Sequence, residues 1–166
     1  MKENVMKKIN IEKVVLSVGG TTDYLEKGIK LLKLITGKKP ARMMSRKRIP
    51  TWGVRPKLEV GTVVTLRKNF NDLLKKLLTT KDNALKKKQI SENNFSFGVK
   101  EYIEIPGMEY QRDIGIMGFD VTVVFKRSGR RVGQRKIKQA RVPKRQKIPK
   151  EEIIKFMEEN FSVKFT

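Results

Sequence analysis

The sequence predicts an α+β fold: a largely antiparallel β-sheet with helices packed on one face and basic loops between the elements. Three observations predict it. Apolar residues keep period two in several short segments, stretches with helical spacing fall among them, and the positive charge collects where apolar content is low. A length of 166 residues suits one domain, expected over 1–166, that buries about two-thirds of the surface its unfolded chain exposes.

Residues Ile9 to Val18 are β-branched and roughly alternating and end at Gly19-Gly20, a strand followed by a turn. Asp23 with Glu26 reads as a carboxylate N-cap, and Leu25, Ile29, Leu32 and Ile35 form the stripe of a helix closed by Gly37 and Pro40. A basic loop over 38–57 follows, in which Pro50, Gly53 and Pro56 forbid regular structure. Leu58, Val60, Thr62, Val64 and Leu66 share one face of a strand, and Asn71 caps a helix with Leu73, Leu74, Leu77 and Leu78 inward. The lysine-rich stretch 84–94 reads as a loop or a short helix. Strands are expected at Phe95 to Glu104 and Gly118 to Lys126, separated by turns at Pro106-Gly107 and Gly115. A basic segment spans 126–150. Pro149 then opens a helix to about residue 160, with Glu151 and Glu152 at its positive end and Ile153, Phe156, Met157 and Phe161 inward.

The chain carries 39 Lys and Arg against 17 Asp and Glu, a net charge of +22. This excess is not spread evenly. Lys27 to Leu58 holds 11 basic residues and no carboxylate, and Val121 to Lys150 holds 12 and none. The rest of the chain is close to neutral, with 16 basic residues against 17 acidic ones. A solvated helix face normally mixes its charges, so two unmixed blocks point to a polyanion, and each cation placed on a phosphate releases a condensed counterion. Neither block has the apolar face that an interfacial helix would push into a membrane. No apolar run approaches the roughly 18 residues of a membrane span, and Met1-Lys2-Glu3-Asn4 does not begin a secretory leader, so a soluble intracellular protein is expected.

Several chemistries are excluded. With no cysteine and no histidine there is no disulfide framework, thiol nucleophile, zinc finger or imidazole base. Gly19-Gly20 stands before a helix but lacks the spacing of a phosphate loop, and Asp23 and Glu26 put negative charge where a phosphate would sit. Glu101, Glu104, Glu109, Asp113 and Asp120 are read as surface carboxylates rather than a Mg²⁺ site, because they lie outside both basic blocks. No metal, cofactor or catalytic residue is expected. Phe95, Phe97, Phe119 and Phe125 are read as core rather than as the exposed aromatics of an RNA-recognition sheet. Met43-Met44 reads as loop or edge packing. Trp52, the one tryptophan, is either a core anchor or a stacking platform on a basic loop.

A series of segments carries a family pattern in order along the chain: Ile11 to Leu16, Ile35-Thr36-Gly37-x-x-Pro40, Trp52 to Arg55, Val64 to Arg67, Asn94 to Val99, Tyr110, and Ile114 to Val123. Together they resemble the large-subunit ribosomal protein L-five family. The segment Gly129 to Lys150 and the helix after it resemble its archaeal and eukaryotic branch. The resemblance implies a non-enzymatic ribosomal component that binds 5S rRNA and large-subunit rRNA in the central protuberance. It also implies contact with P-site tRNA, with neighbouring large-subunit proteins and, across the intersubunit bridge, with a small-subunit head protein, placing the chain on the cytoplasmic ribosome. Family positions on 5S rRNA fall on Ser17, Lys38 and Thr65. Only Thr65 keeps the familiar residue, since the family often has Asn and Gln at the other two, but a hydroxyl and an ammonium still bond to ribose or phosphate.

The expected rRNA-binding set is therefore Ser17, Lys38, Lys39, Arg42, Arg46, Lys47, Arg48 and Thr65, with Arg130, Arg131, Arg135, Lys136, Arg141, Lys144 and Arg145 from the second block. That block is expected to order on binding. Thr51, Trp52, Gly53, Val54 and Arg55 form the tRNA-facing loop. The alternative is a basic packaging protein that tolerates any nucleic-acid sequence; an RNA-cleaving enzyme using Asp113 or Asp120 ranks third.

Overall fold

The computed structural model describes residues 4–166; Met1, Lys2 and Glu3, on which the expectation about a leader partly rests, lie outside it. The chain runs β1 (Ile9–Gly19), α1 (Thr22–Thr36), β2 (Ala41–Met44), β3 (Glu59–Leu66), α2 (Asn71–Thr79), β4 (Ala84–Leu85), β5 (Ile90–Ser91), β6 (Asn94–Val99), β7 (Phe119–Arg127), α3 (Lys150–Phe161) and β8 (Lys164–Phe165). Six strands form one antiparallel sheet in the order β2-β3-β1-β7-β6-β5. A small parallel pair, β4 with β8, ties the C-terminus to the segment after α2. This is the expected α+β arrangement.

The strand pleat sorts the residues. Val14, Leu16 and Val18 of β1, Val64 and Leu66 of β3, the four odd residues from Phe119 to Phe125 of β7, and Phe95, Phe97 and Val99 of β6 all enter one buried cluster. Leu31, Leu32 and Ile35 of α1, Leu74, Leu77 and Leu78 of α2, and Ile153 and Met157 of α3 close over it from the same side. Phe95 stacks on Phe97 and Phe125 at ring separations of 6.0 and 5.8 Å, and Phe156 meets Phe125 edge-on at 5.6 Å. The phenylalanines are thus core, as expected. Ser17, Thr65, Thr122 and Ser96 point the opposite way, to the face away from α1, α2 and α3.

Element edges differ from the expectations in ways that packing explains. Thr21, not Asp23, is the N-cap of α1, and Asp23 instead lies in the first turn, where its charge complements the helix dipole. Phe70 caps α2 and Asn71 is its first residue; Pro149 caps α3 and Lys150 starts it. The strand expected through Glu104 stops at Val99, because Tyr102 is fully buried and turns the chain inward, its hydroxyl accepting the Gln111 N–H at 2.8 Å. Residues 84–94 form two short strands about a single helical turn rather than a loop or helix alone. The 38–57 segment is not wholly irregular either. Its β2 portion pairs with β3, and a turn at Pro50–Trp52 is clamped by reciprocal hydrogen bonds between Ile49 and Val54, 2.9 and 3.0 Å. No helix among the described residues is long and apolar enough to cross a membrane.

Helix α1 closes on the sheet at Gly28, where an added Cβ would come within 2.9 Å of the stiff, buried Val18 side chain. Gly28→Val should therefore force α1 off the sheet and cost about 1–3 kcal/mol by overpacking, read as a lower urea midpoint with an unchanged slope.

Candidate nucleic-acid interface

The first basic block takes its shape from the β2–β3 hairpin. Gly37 ends α1 in the left-handed conformation, φ 66°, and releases Lys38 and Lys39 onto an exposed connection. Arg42 then sits on the edge strand, where Glu59 holds its guanidinium at 2.7 Å. Beyond it Arg46, Lys47 and Arg48 are exposed and enter no ion pair among the described residues. Arg42 is accordingly half neutralised within the chain, unlike its neighbours.

At the hairpin tip Trp52 is 78% exposed, which settles its two readings against a core anchor. Gly53, with φ 63°, turns the chain back, and Thr51 and Arg55 flank it in solvent. Val54 departs from the expected tRNA-facing loop, being only 9% exposed: its backbone is committed to Ile49 and its side chain turns under the tip. Met43 and Met44 lie exposed on the edge strand.

Ser17 and Thr65 come together although 48 positions separate them in the sequence. Ser17 pairs with Val63 and Val15 with Thr65, so the two hydroxyls are diagonal neighbours on the helix-free face, roughly 7–8 Å apart by sheet geometry. Lys38 stands apart from them, on the connection after α1. Val15, Val63, Thr122 and Ser96 continue this face in small side chains. Sequence reasoning missed the face as a unit. Its signal is the choice of Ser and Thr at outward strand positions, where Lys and Glu are the ordinary occupants of a solvated sheet.

The second block is anchored rather than free. A β-bulge in β1 between Ile11 and Lys13 turns Glu12 out of the ladder, and its carboxylate meets Arg130 at 3.1 Å and the Gln134 amide at 3.2 Å. Arg127, its side chain only 12% exposed, donates to Glu152 of α3 and to the Arg145 carbonyl. Lys147 pairs with Glu92 at 2.6 Å, and its hydrogen bond and charge hold the Glu92 carboxyl below the usual carboxylate range. Arg130, expected on rRNA, thus has a structural partner as well. Arg135 ties itself to the Lys138 carbonyl through Nε at 2.7 Å, whereas Arg131, Lys136, Arg141, Lys144 and Arg145 are exposed and outside every ion pair among the described residues. Arg127 was not legible as an anchor, since Glu152 lies 25 residues away and nothing local marks the pair. Among the described residues no three carboxylates gather as a metal would need.

Known proteins resemble this chain in sequence along nearly its whole length. A family model described as Ribosomal protein L5 matches residues 4–55, and a second model, for the C-terminus of the same ribosomal family, matches residues 59–156. The large ribosomal subunit protein uL5 of Nanoarchaeum equitans is 41% identical over 165 residues, covering 97% of this chain and 98% of its own. The chain belongs to the uL5 family. The uL5 proteins of Sulfolobus acidocaldarius and Methanosphaera stadtmanae are 40% and 37% identical, covering 98% and 96% of this chain and 93% and 98% of their own. All three relatives are archaeal, in line with the branch that the C-terminal segments suggested. The uL5 family is one of large-subunit ribosomal proteins and not of enzymes. The junction between the two matched regions, residues 56–58, falls inside the hairpin that joins β2 to β3, so both contribute strands to one sheet.

Two outcomes test the anchors. Arg127→Ala should free the second block from α3 and raise the rate of tryptic cleavage within residues 128–147 severalfold, while the circular dichroism of the body stays unchanged. Lys147→Ala should return the Glu92 carboxyl upward toward its ordinary range in a carbon-detected NMR titration. The contribution of this pair in the native protein is present above the unfolded carboxylate pKa and is lost as pH falls through the lowered value.

Proposed function

We propose that this uL5-family chain binds 5S rRNA and large-subunit rRNA in the central protuberance of the large ribosomal subunit and contacts P-site tRNA through its hairpin tip. The observation that carries the reading is the pairing of two surfaces. One is a sheet face with diagonally adjacent Ser17 and Thr65, and the other is the set of exposed cations at Lys38, Lys39, Arg46, Lys47 and Arg48, which enter no ion pair among the described residues. Hydroxyls that both donate and accept suit ribose 2′-OH and base edges, while the cations neutralise phosphates and position the RNA. Arg42 contributes less because Glu59 already shares its charge.

Large-subunit rRNA is assigned to the exposed cations of the second block, Arg131, Arg135, Lys136, Arg141, Lys144 and Arg145, with Arg130 divided between Glu12 and RNA. Trp52 offers an exposed stacking surface to tRNA beside Arg55, and a small-subunit head protein and neighbouring large-subunit proteins complete the partners. The protein acts in the cytoplasm, on the ribosome, without cofactor.

Binding to 5S rRNA, a length-matched duplex RNA and a duplex DNA across a salt series tests the reading. A preference for 5S rRNA that survives high salt supports it; affinities that fall together would make the chain a sequence-tolerant packaging protein. Replacing Arg46, Lys47 and Arg48 with Ala should weaken all RNAs and flatten the slope of log K against log salt by about 2 to 3. Trp52→Ala should leave 5S affinity within about twofold, because an exposed tip residue outside the 5S surface contributes little there; abolished 5S binding would overturn the division of surfaces.

A further inference from the structure

At the edge of the helix-free face, between the N-terminal end of α1 and the start of β7, lies a cavity of about 270 Å³ lined by Ser17, Gly19, Tyr24, Lys100, Gly118 and Asp120 among others. Gly19 and Gly118 present bare backbone in its wall. A Cβ at Gly20 would strike the Tyr24 ring at 2.3 Å, one at Gly118 would strike the Lys100 carbonyl at 2.6 Å, and one at Gly98 would come within 3.2 Å of the Asp120 carboxylate. A side chain at any of these three positions would therefore displace the tyrosine ring, the carboxylate or the neighbouring Lys100 backbone. Tyr24 is 45% exposed, and Asp120 is exposed with no hydrogen bond or ion pair to its carboxylate among the described residues.

An unpaired carboxylate is out of place on a surface that meets a polyanion. It repels phosphate, and Lys100, the cation beside it, does not neutralise it by a direct pair. The repulsion is offset when the carboxylate accepts from donors on the RNA. Two oxygens side by side match the adjacent N1–H and N2–H donors of guanine, an arrangement that no other unmodified base offers on its Watson–Crick edge, and an aromatic ring beside it supplies the stacking that an extruded base needs. We propose that this cavity receives an unpaired guanine of the bound RNA, its Watson–Crick edge on Asp120 and its ring against Tyr24. Lys100 then takes the phosphate of the same nucleotide or the next, and the Ser17 hydroxyl its ribose. This site rests on the RNA-binding reading above and names the base class it selects.

The sign of one substitution separates this site from general electrostatics. Removing a negative charge should tighten binding to any polyanion. Asp120→Asn should instead weaken 5S rRNA binding about tenfold or more, the range of a lost bidentate base contact, while binding to a length-matched duplex RNA holds or tightens. With the single-stranded pentamers UUGUU and UUAUU as probes, the wild-type chain should favour the guanine pentamer severalfold, Asp120→Asn should abolish that preference, and Tyr24→Ala should weaken both. Unchanged or tighter 5S binding by Asp120→Asn, or equal affinity of the wild type for the two pentamers, would overturn the guanine site. If the wild-type chain does not distinguish 5S rRNA from duplex RNA, the RNA reading itself fails, and that control is run first. Should Asp120→Asn lower the thermal midpoint, the pentamer preference of the wild type and the effect of Tyr24→Ala decide the matter.

Discussion

The structure depends on the pleat of β1, a strand paired along both edges. Its bonds to β3 and β7 place Val14, Leu16 and Val18 on one side and Val15 and Ser17 on the other, and neither neighbour can slip by one residue without exchanging those faces. All three helices cover the first side. The second side is consequently left to small side chains, Ser17, Thr65, Thr122 and Ser96 with Val15 and Val63, while the larger apolar residues of these strands lie in the core.

That division of faces explains how a chain with a charge of +22 keeps a stable body. Most cations of the two blocks are carried on connections and on an edge hairpin, the remainder on α1 and the end of β7, and the rest of the chain is nearly neutral. Self-repulsion within the second block is moderated by carboxylates that arrive from distant elements: Glu12 from the bulge in β1, Glu92 from the turn between β5 and β6, and Glu152 from α3. Each is partly or fully exposed, so these pairs direct the course of the segment more than they stabilise the fold. The cations left over, on both blocks, are the ones that a phosphate backbone would neutralise.

Most elements were legible because their periodicities are local. Period-two alternation from Phe119 to Phe125 and Leu74, Leu77 and Leu78 of α2 translate directly into burial, with Leu73 partly buried beside them. The exact helix starts were less so, since Asp23, Asn71 and Pro149 all suit a helix start, and the cap fell two residues before Asp23, one before Asn71 and on Pro149 itself, set by how the chain enters from the preceding strand or turn. The end of β6 was hidden for a different reason. Residues 95–104 could continue as a strand, but the pocket for Tyr102 exists only once the loop bearing Gln111 and Met117 has closed over it. β2 is likewise a strand only because β3 lies beside it; four residues reading Ala-Arg-Met-Met carry no alternation of their own.

The residues by themselves determined the α+β class, the segregation of charge, the absence of thiol and imidazole chemistry, and the motif series that places the chain in its family, because each is a property of composition or of neighbours a few positions apart. Tertiary structure decided which cations are free. Arg42, Arg127, Arg130 and Lys147 look no different in sequence from Arg46 or Arg131, and only the approach of Glu59, Glu152, Glu12 and Glu92 from remote positions separates them. It also joined Ser17 to Thr65 and brought Asp120 and Tyr24 to the wall of one cavity. Pair energies depend on distance in space, and strand pairing brings together residues whose separation along the chain carries no trace of that distance.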